Sequence, residues 1–144
     1  MARAVSINRS KEFEQTVQIL SGEKAYTFPE NGKKMFPTIR ELLTFAATVG
    51  FNNSCRLPFN KSFGTEDIQG AVYEDTEALE YIWLIAVSET GGVDILQDGK
   101  ERQCAQIYEE YANGGLKIIS ETLEDMPNED WPQIIFDFCK KSDV

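Results

Sequence analysis

The sequence predicts an all-α domain, a compact orthogonal bundle of about five helices, with a minor extended segment admitted near Gly70. Two observations carry this. Apolar residues recur every three to four positions in five separate stretches, the period of one helix face, and those stretches are punctuated by helix start and stop residues. At 144 residues the chain fits one domain spanning residues 1–144, large enough to bury a core without metals or disulfides.

The elements follow in order. Ser10 is placed to cap a first helix carrying Phe13, Val17 and Leu20, with Gly22 just past its end. YTFPENGKK, residues 26–34, reads as a turn-rich loop with a basic end. The next stretch, FPTIRELLTFAATVGF, is the clearest helix. Thr38 and Glu41 form an S/T-x-x-E capping box, Ile39, Leu42, Leu43, Ala46 and Val49 mark its buried stripe, and Gly50 suits a left-handed stop. Arg40 and Thr44 are expected to face away. NNSCRLPFNKSFG is irregular, and QGAVYE offers the extended piece. A third helix from Asp75 begins acidic and becomes apolar on nearly every side in YIWLIAV, the pattern of a central, enclosed helix. After the glycine turn ETGGVD a fourth helix starts near Lys100. A fifth, from about Asp130, bears Trp131, Ile134, Ile135 and Phe138 and closes on Lys140 and Lys141.

The pair Gly114–Gly115 interrupts helical sequence. The apolar stripe Cys104, Ile107, Tyr108, Tyr111 resumes at Ile118, Ile119 and Leu123, and a step of four from Tyr111 lands on Gly115, so the phase survives. One helix over 100–123 is therefore expected, with Gly115 facing inward to admit a neighbouring backbone. Each glycine costs about 1 kcal/mol relative to alanine. The alternative ends a helix at Asn113, with Gly114 as its C′ residue.

Catalytic vocabulary is sparse. Histidine is absent, which removes the usual general base, the commonest metal ligand and any Ser/His or Cys/His pair. Cys55, Cys104 and Cys139 are widely spaced and read as buried small hydrophobes. Glu109 and Glu110 are neighbours on a helix and point about 100° apart, so they should not share a metal or a proton. Asp94, Asp98 and Lys100 have the residue types of a metal-dependent nuclease, yet their short separation within a loop cannot supply the neighbouring strands that such a site needs. No phosphate-binding glycine loop occurs. No enzyme activity, metal or cofactor is expected. With no apolar run of about 18–20 residues and no apolar leader in MARAVSINRSKEFE, a cytoplasmic protein with no membrane partner is expected.

Charge is distributed unevenly. Residues 1–64 carry nine Lys/Arg against five Asp/Glu, whereas residues 65–144 carry five against nineteen, within a net charge of −10. On the basic side Lys33, Lys34, Arg40, Arg56 and Lys61, interleaved with Phe59 and Phe63, are candidates for nucleic-acid or partner binding. Their plainer reading is a solvated loop whose phenylalanines plug the core. On the acidic side Glu74, Asp75, Glu77 and Glu80 form a candidate docking face for a basic partner, against a plainer reading of simple solubility.

FPTIRELLTFAATVGF, CRLPF, DILQD and YANGGL together resemble a family of small bacterial proteins associated with the Dnd system, which installs sulfur in DNA backbones as phosphorothioate and restricts DNA lacking it. The resemblance covers about residues 36–120 and leaves the first thirty residues and the acidic tail without a counterpart. It implies a non-enzymatic accessory or regulatory protein whose partners are other proteins of a DNA-modification or restriction complex in antiphage defence. A DNA-binding helical module using the basic amino-terminal half is the alternative. The resemblance implies no catalytic residues.

Overall fold

A computed structural model of the chain describes residues 5–22, 27, 30–58, 65–73, 76–125 and 136. Four α-helices lie among them: α1 (Glu14–Ser21), α2 (Ile39–Asn52), α3 (Glu77–Thr90) and α4 (Glu101–Asp125). Two short strands, β1 (Ile7–Ser10) and β2 (Thr65–Ile68), pair antiparallel with Ile7 opposite Ile68 and Ser10 opposite Thr65. The fold is thus mainly helical, as expected, with four described helices rather than five. The fifth, with Trp131, Ile134, Ile135 and Phe138, falls outside the described residues. The extended piece lies just upstream of its expected place: Gly70–Val72 is a 3-10 turn, and the strand is the preceding TEDI.

Local chemistry sets most boundaries. Ser10 accepts a hydrogen bond from the Glu12 amide at 3.1 Å, opening the 3-10 turn that leads into α1, where Val17 and Leu20 are buried. Thr38 accepts from the Glu41 amide at 3.1 Å, completing the side-chain half of the capping box on α2. Gly91, in the left-handed region at φ 81°, closes α3. Gly50 does not close α2. It lies inside the helix, which runs on to Asn52, and Ser54 takes the left-handed conformation instead.

α4 is the spine of the molecule. It spans 25 residues, about 37 Å at 1.5 Å per residue, and packs against α1, α2, α3 and β1. Both glycines fall in its middle and both are buried, so the stripe continues through them as its phase predicts. A Cβ on Gly115 would run into the Ala46 carbonyl of α2, and one on Gly50 would run into the Tyr111 carbonyl of α4. The two helices therefore cross backbone on backbone, each supplying a glycine where the other needs room. Gly114 is filled too, because a Cβ there would meet the Cys55 carbonyl in the chain leaving α2. Gly115 faces a neighbouring backbone as expected, and Gly114 does so as well.

The enclosed helix is α4 and not α3. Although Leu79, Ile82 and Ile85 of α3 are buried, Tyr81 is 43% and Leu84 61% exposed. Thr44 does not face away either: its hydroxyl lies 3.1 Å from that of buried Tyr108, which in turn lies 3.4 Å from that of buried Tyr73. Burial raises both phenols, Tyr108 to about 12, so this chain of hydroxyls stays neutral and acts as hydrogen-bonding ballast in the core.

The crossing makes a direct prediction. Alanine is the better helix former by about 1 kcal/mol, so Gly→Ala at a surface helix position should stabilise. At Gly114 and Gly115 each change is expected to lower stability by about 1–3 kcal/mol through overpacking, measured by urea denaturation; a gain at either site would show that the backbones are not in contact there.

Candidate docking face on α3

The candidate basic residues do not converge. Arg56, in the segment leaving α2, donates at 2.7 Å to Glu89 of α3 and at 2.7 Å to Glu110 of α4, so its guanidinium ties three parts of the chain together. Arg40 donates to the Val72 carbonyl at 3.1 Å. Lys33 is exposed on the turn where its amide bonds to Asn31, and Lys34 is half-buried in a bridge with Thr27. Lys61, Phe59 and Phe63 lie outside the described residues. Two of the five cations thus already serve the scaffold.

Glu109 and Glu110 point apart, as adjacent helical residues must. Glu110 takes Arg56, while Glu109 is 5% exposed and accepts from the Asn8 amide of β1 at 2.6 Å and from Arg102. Arg102 also donates to the Ser6 carbonyl at 2.7 Å. The cluster is a clasp that fastens the ribbon to α4. Burial pushes the Glu109 carboxyl above its ordinary value, and the Arg102 and Asn8 contacts offset only part of that. Glu89 is held below its ordinary value, first by the Tyr111 hydroxyl that donates to it at 2.8 Å. Cys104 is buried with its thiol against the Ile95 carbonyl, whereas Cys55 is half-buried. Among the described residues no three metal-ligating side chains cluster, and no helix is long and apolar enough to cross a membrane.

One open feature is the outer face of α3. Glu77, Glu80, Tyr81, Leu84 and Ser88 are all exposed and fall within about 100° of the helix circumference at 3.6 residues per turn. Glu77 and Glu80 occupy the first turn, the end of the dipole that favours carboxylates. One and two turns further on, the aromatic ring of Tyr81 and the side chain of Leu84 stand in water. A cleft of about 340 Å³ opens beside Tyr81, between the amino ends of α2 and α3, and is lined by Arg40, Thr44 and Glu77 among others. Two acidic residues expected to extend the face, Glu74 and Asp75, lie outside the described residues. Tyr81 and Leu84 are the residues a reading of the sequence misses, because YIWLIAV looks buried throughout. The usable signal was the spacing 77, 80, 81, 84, 88, which places them in line with the carboxylates.

The chain matches, over residues 6–143, the family described as DNA sulphur modification system-associated protein 4. It belongs to that family, and the match runs from residue 6 to residue 143, so it takes in most of the amino-terminal stretch and of the acidic tail as well as the motifs between them. No curated protein and no solved structure was found to match.

The clasp has a pH signature. A buried carboxyl raised above its unfolded value of about 4.5 binds its proton more tightly folded than unfolded, so the stability it contributes is lost as pH rises above that value. Comparing wild type with Glu109→Gln by urea denaturation, the wild-type advantage is expected to shrink from pH 4.5 to pH 7; an advantage that grows would mean that Arg102 outweighs burial.

Proposed function

We propose that this chain is a non-enzymatic accessory protein of a DNA sulphur modification system, acting by docking the outer face of α3 onto a basic surface of another protein of that system. The observation that carries this is the exposure of Leu84 and Tyr81 on the same helix face as Glu77 and Glu80. An aromatic and an aliphatic anchor flanked by charge is the build of a protein-binding patch, where apolar anchors set the lifetime of the complex and charges set its encounter rate. Family membership supplies the setting, and proteins that handle DNA carry the basic surfaces that such a patch complements. The absence of histidine from the whole sequence and the internal pairing of Glu109 with Arg102 and of Tyr108 with Thr44 and Tyr73 support a role in binding. The DNA-binding reading draws less support, since Arg56 and Arg40 are already engaged.

The test is kinetic. Proteins of the same system, purified singly, are tested for binding by surface plasmon resonance. Glu77→Gln with Glu80→Gln is expected to slow association at low salt and to flatten its salt dependence. Tyr81→Ala with Leu84→Ala is expected to speed dissociation about tenfold or more, as loss of a central anchor pair does. Variants indistinguishable from wild type in both rates would remove α3 from the mechanism. Salt-sensitive binding of duplex DNA that is lost in Lys33→Glu with Lys34→Glu would favour the DNA reading instead.

A further inference from the structure

A second open feature lies where α3 takes no part. The 3-10 turn and α1 on one side, and the carboxy-terminal half of α4 on the other, bound a groove of about 670 Å³. Its apolar wall is Phe13, Leu57 and Pro58. Among the described residues its rim carries three carboxylates, Glu12, Glu121 and Glu124, against one ammonium, Lys117.

The groove is built rather than incidental. Across its floor the buried hydroxyls of Thr16 and Ser120 meet at 2.6 Å, fixing α1 to α4. The Leu57 wall is bonded to α4 twice: its amide donates to the Glu110 carbonyl at 3.0 Å, and its carbonyl accepts from Asn113 at 3.2 Å. Walls held this way need little ordering when something enters, and pre-organisation of this kind favours binding. Among the described residues the rim, in contrast, is electrostatically unfinished. Lys117 and Glu121 approach only to 3.9 Å, both well exposed, and among the described residues Glu12 and Glu124 have no cationic partner.

We infer that this groove is a docking site for a linear segment of a partner protein that carries arginine or lysine beside an apolar residue. The apolar side chain packs on Phe13, Leu57 and Pro58, while the cation bridges Glu12 and Glu124 across the opening. An acidic segment is disfavoured by the three carboxylates, and a wholly apolar one would leave them uncompensated beside low-dielectric wall. The site is separate from the α3 face and does not depend on it.

The full chain is titrated against a short fluorescein-labelled peptide of alternating leucine and arginine, followed by anisotropy, with the same peptide carrying citrulline for arginine as the uncharged control. Glu12→Gln with Glu124→Gln is expected to weaken the arginine peptide about three- to tenfold, the worth of two exposed ion pairs, and Lys117→Glu to strengthen it. All three changes are at exposed positions, and a gain of binding cannot come from misfolding. Equal binding by wild type and all variants, or equal binding of the citrulline peptide, overturns the inference. So does a loss confined to Glu77→Gln with Glu80→Gln, which would place the peptide on α3. Sedimentation supplies the remaining arm: self-association abolished by Glu12→Gln with Glu124→Gln and not displaced by the peptide would make the occupant a second copy of the chain, and would also overturn it.

Discussion

The crossing of α2 and α4 with no side chains between their backbones is the constraint on which the rest of the structure depends. Gly50 and Gly115 each face the carbonyl that the other helix presents, and Gly114 admits the chain leaving α2. Such close approach brings Leu42, Leu43 and Val49 of α2 into one core with Tyr108, Leu116 and Ile119 of α4. It also fixes where residues 55–58 run, since Cys55 must pass over Gly114. From there Arg56 reaches Glu89 and Glu110, and Leu57 becomes a wall. Surface geometry on two sides is therefore set by three missing methyl groups inside.

Much of this was legible in the sequence where local chemistry decides. Ser10 and Thr38 announced themselves as caps, and the α2 stripe had the right period. The phase kept through Gly114–Gly115 correctly reported a continuous helix. Reading failed where tertiary partners decide. Glycine near a helix end carries the same letter whether it stops the helix or admits a neighbour, so Gly50 looked like a terminus. YIWLIAV looked enclosed because hydrophobicity records what a residue prefers and not whether the fold has enough neighbours to cover it. The ribbon was hidden because β1 and β2 lie far apart in sequence, and INRS shows no alternation strong enough to be seen alone. Of the candidate site residues, Glu77 and Glu80 were found on the surface as expected, while the pairing of Arg56 with two distant carboxylates has no local signature.

Taken together, the charge asymmetry of the sequence resolves into different roles. Some charges bind the scaffold to itself: Arg56 with Glu89 and Glu110, Arg102 with Glu109, Arg9 with Glu14 at 3.0 Å. Others, on α3 and along the groove beside α4, are left to water. Net charge alone could not separate these two populations, because exposed and engaged carboxylates count alike. The separation matters in a family associated with DNA sulphur modification, because an acidic surface is repelled by nucleic acid at long range.

The clasp on Glu109 also bears on the order in which the chain can assemble. Asn8 and Glu109 are 101 positions apart, so β1 finds its anchor only after the residues between them have been made. A two-stranded ribbon is marginal by itself, and closing so long a loop carries an entropic cost that must be met before the contact returns anything. During synthesis on the ribosome β1 consequently waits for α4, and so does α2, whose main packing partner is that same helix. A strand made early is thus fastened late.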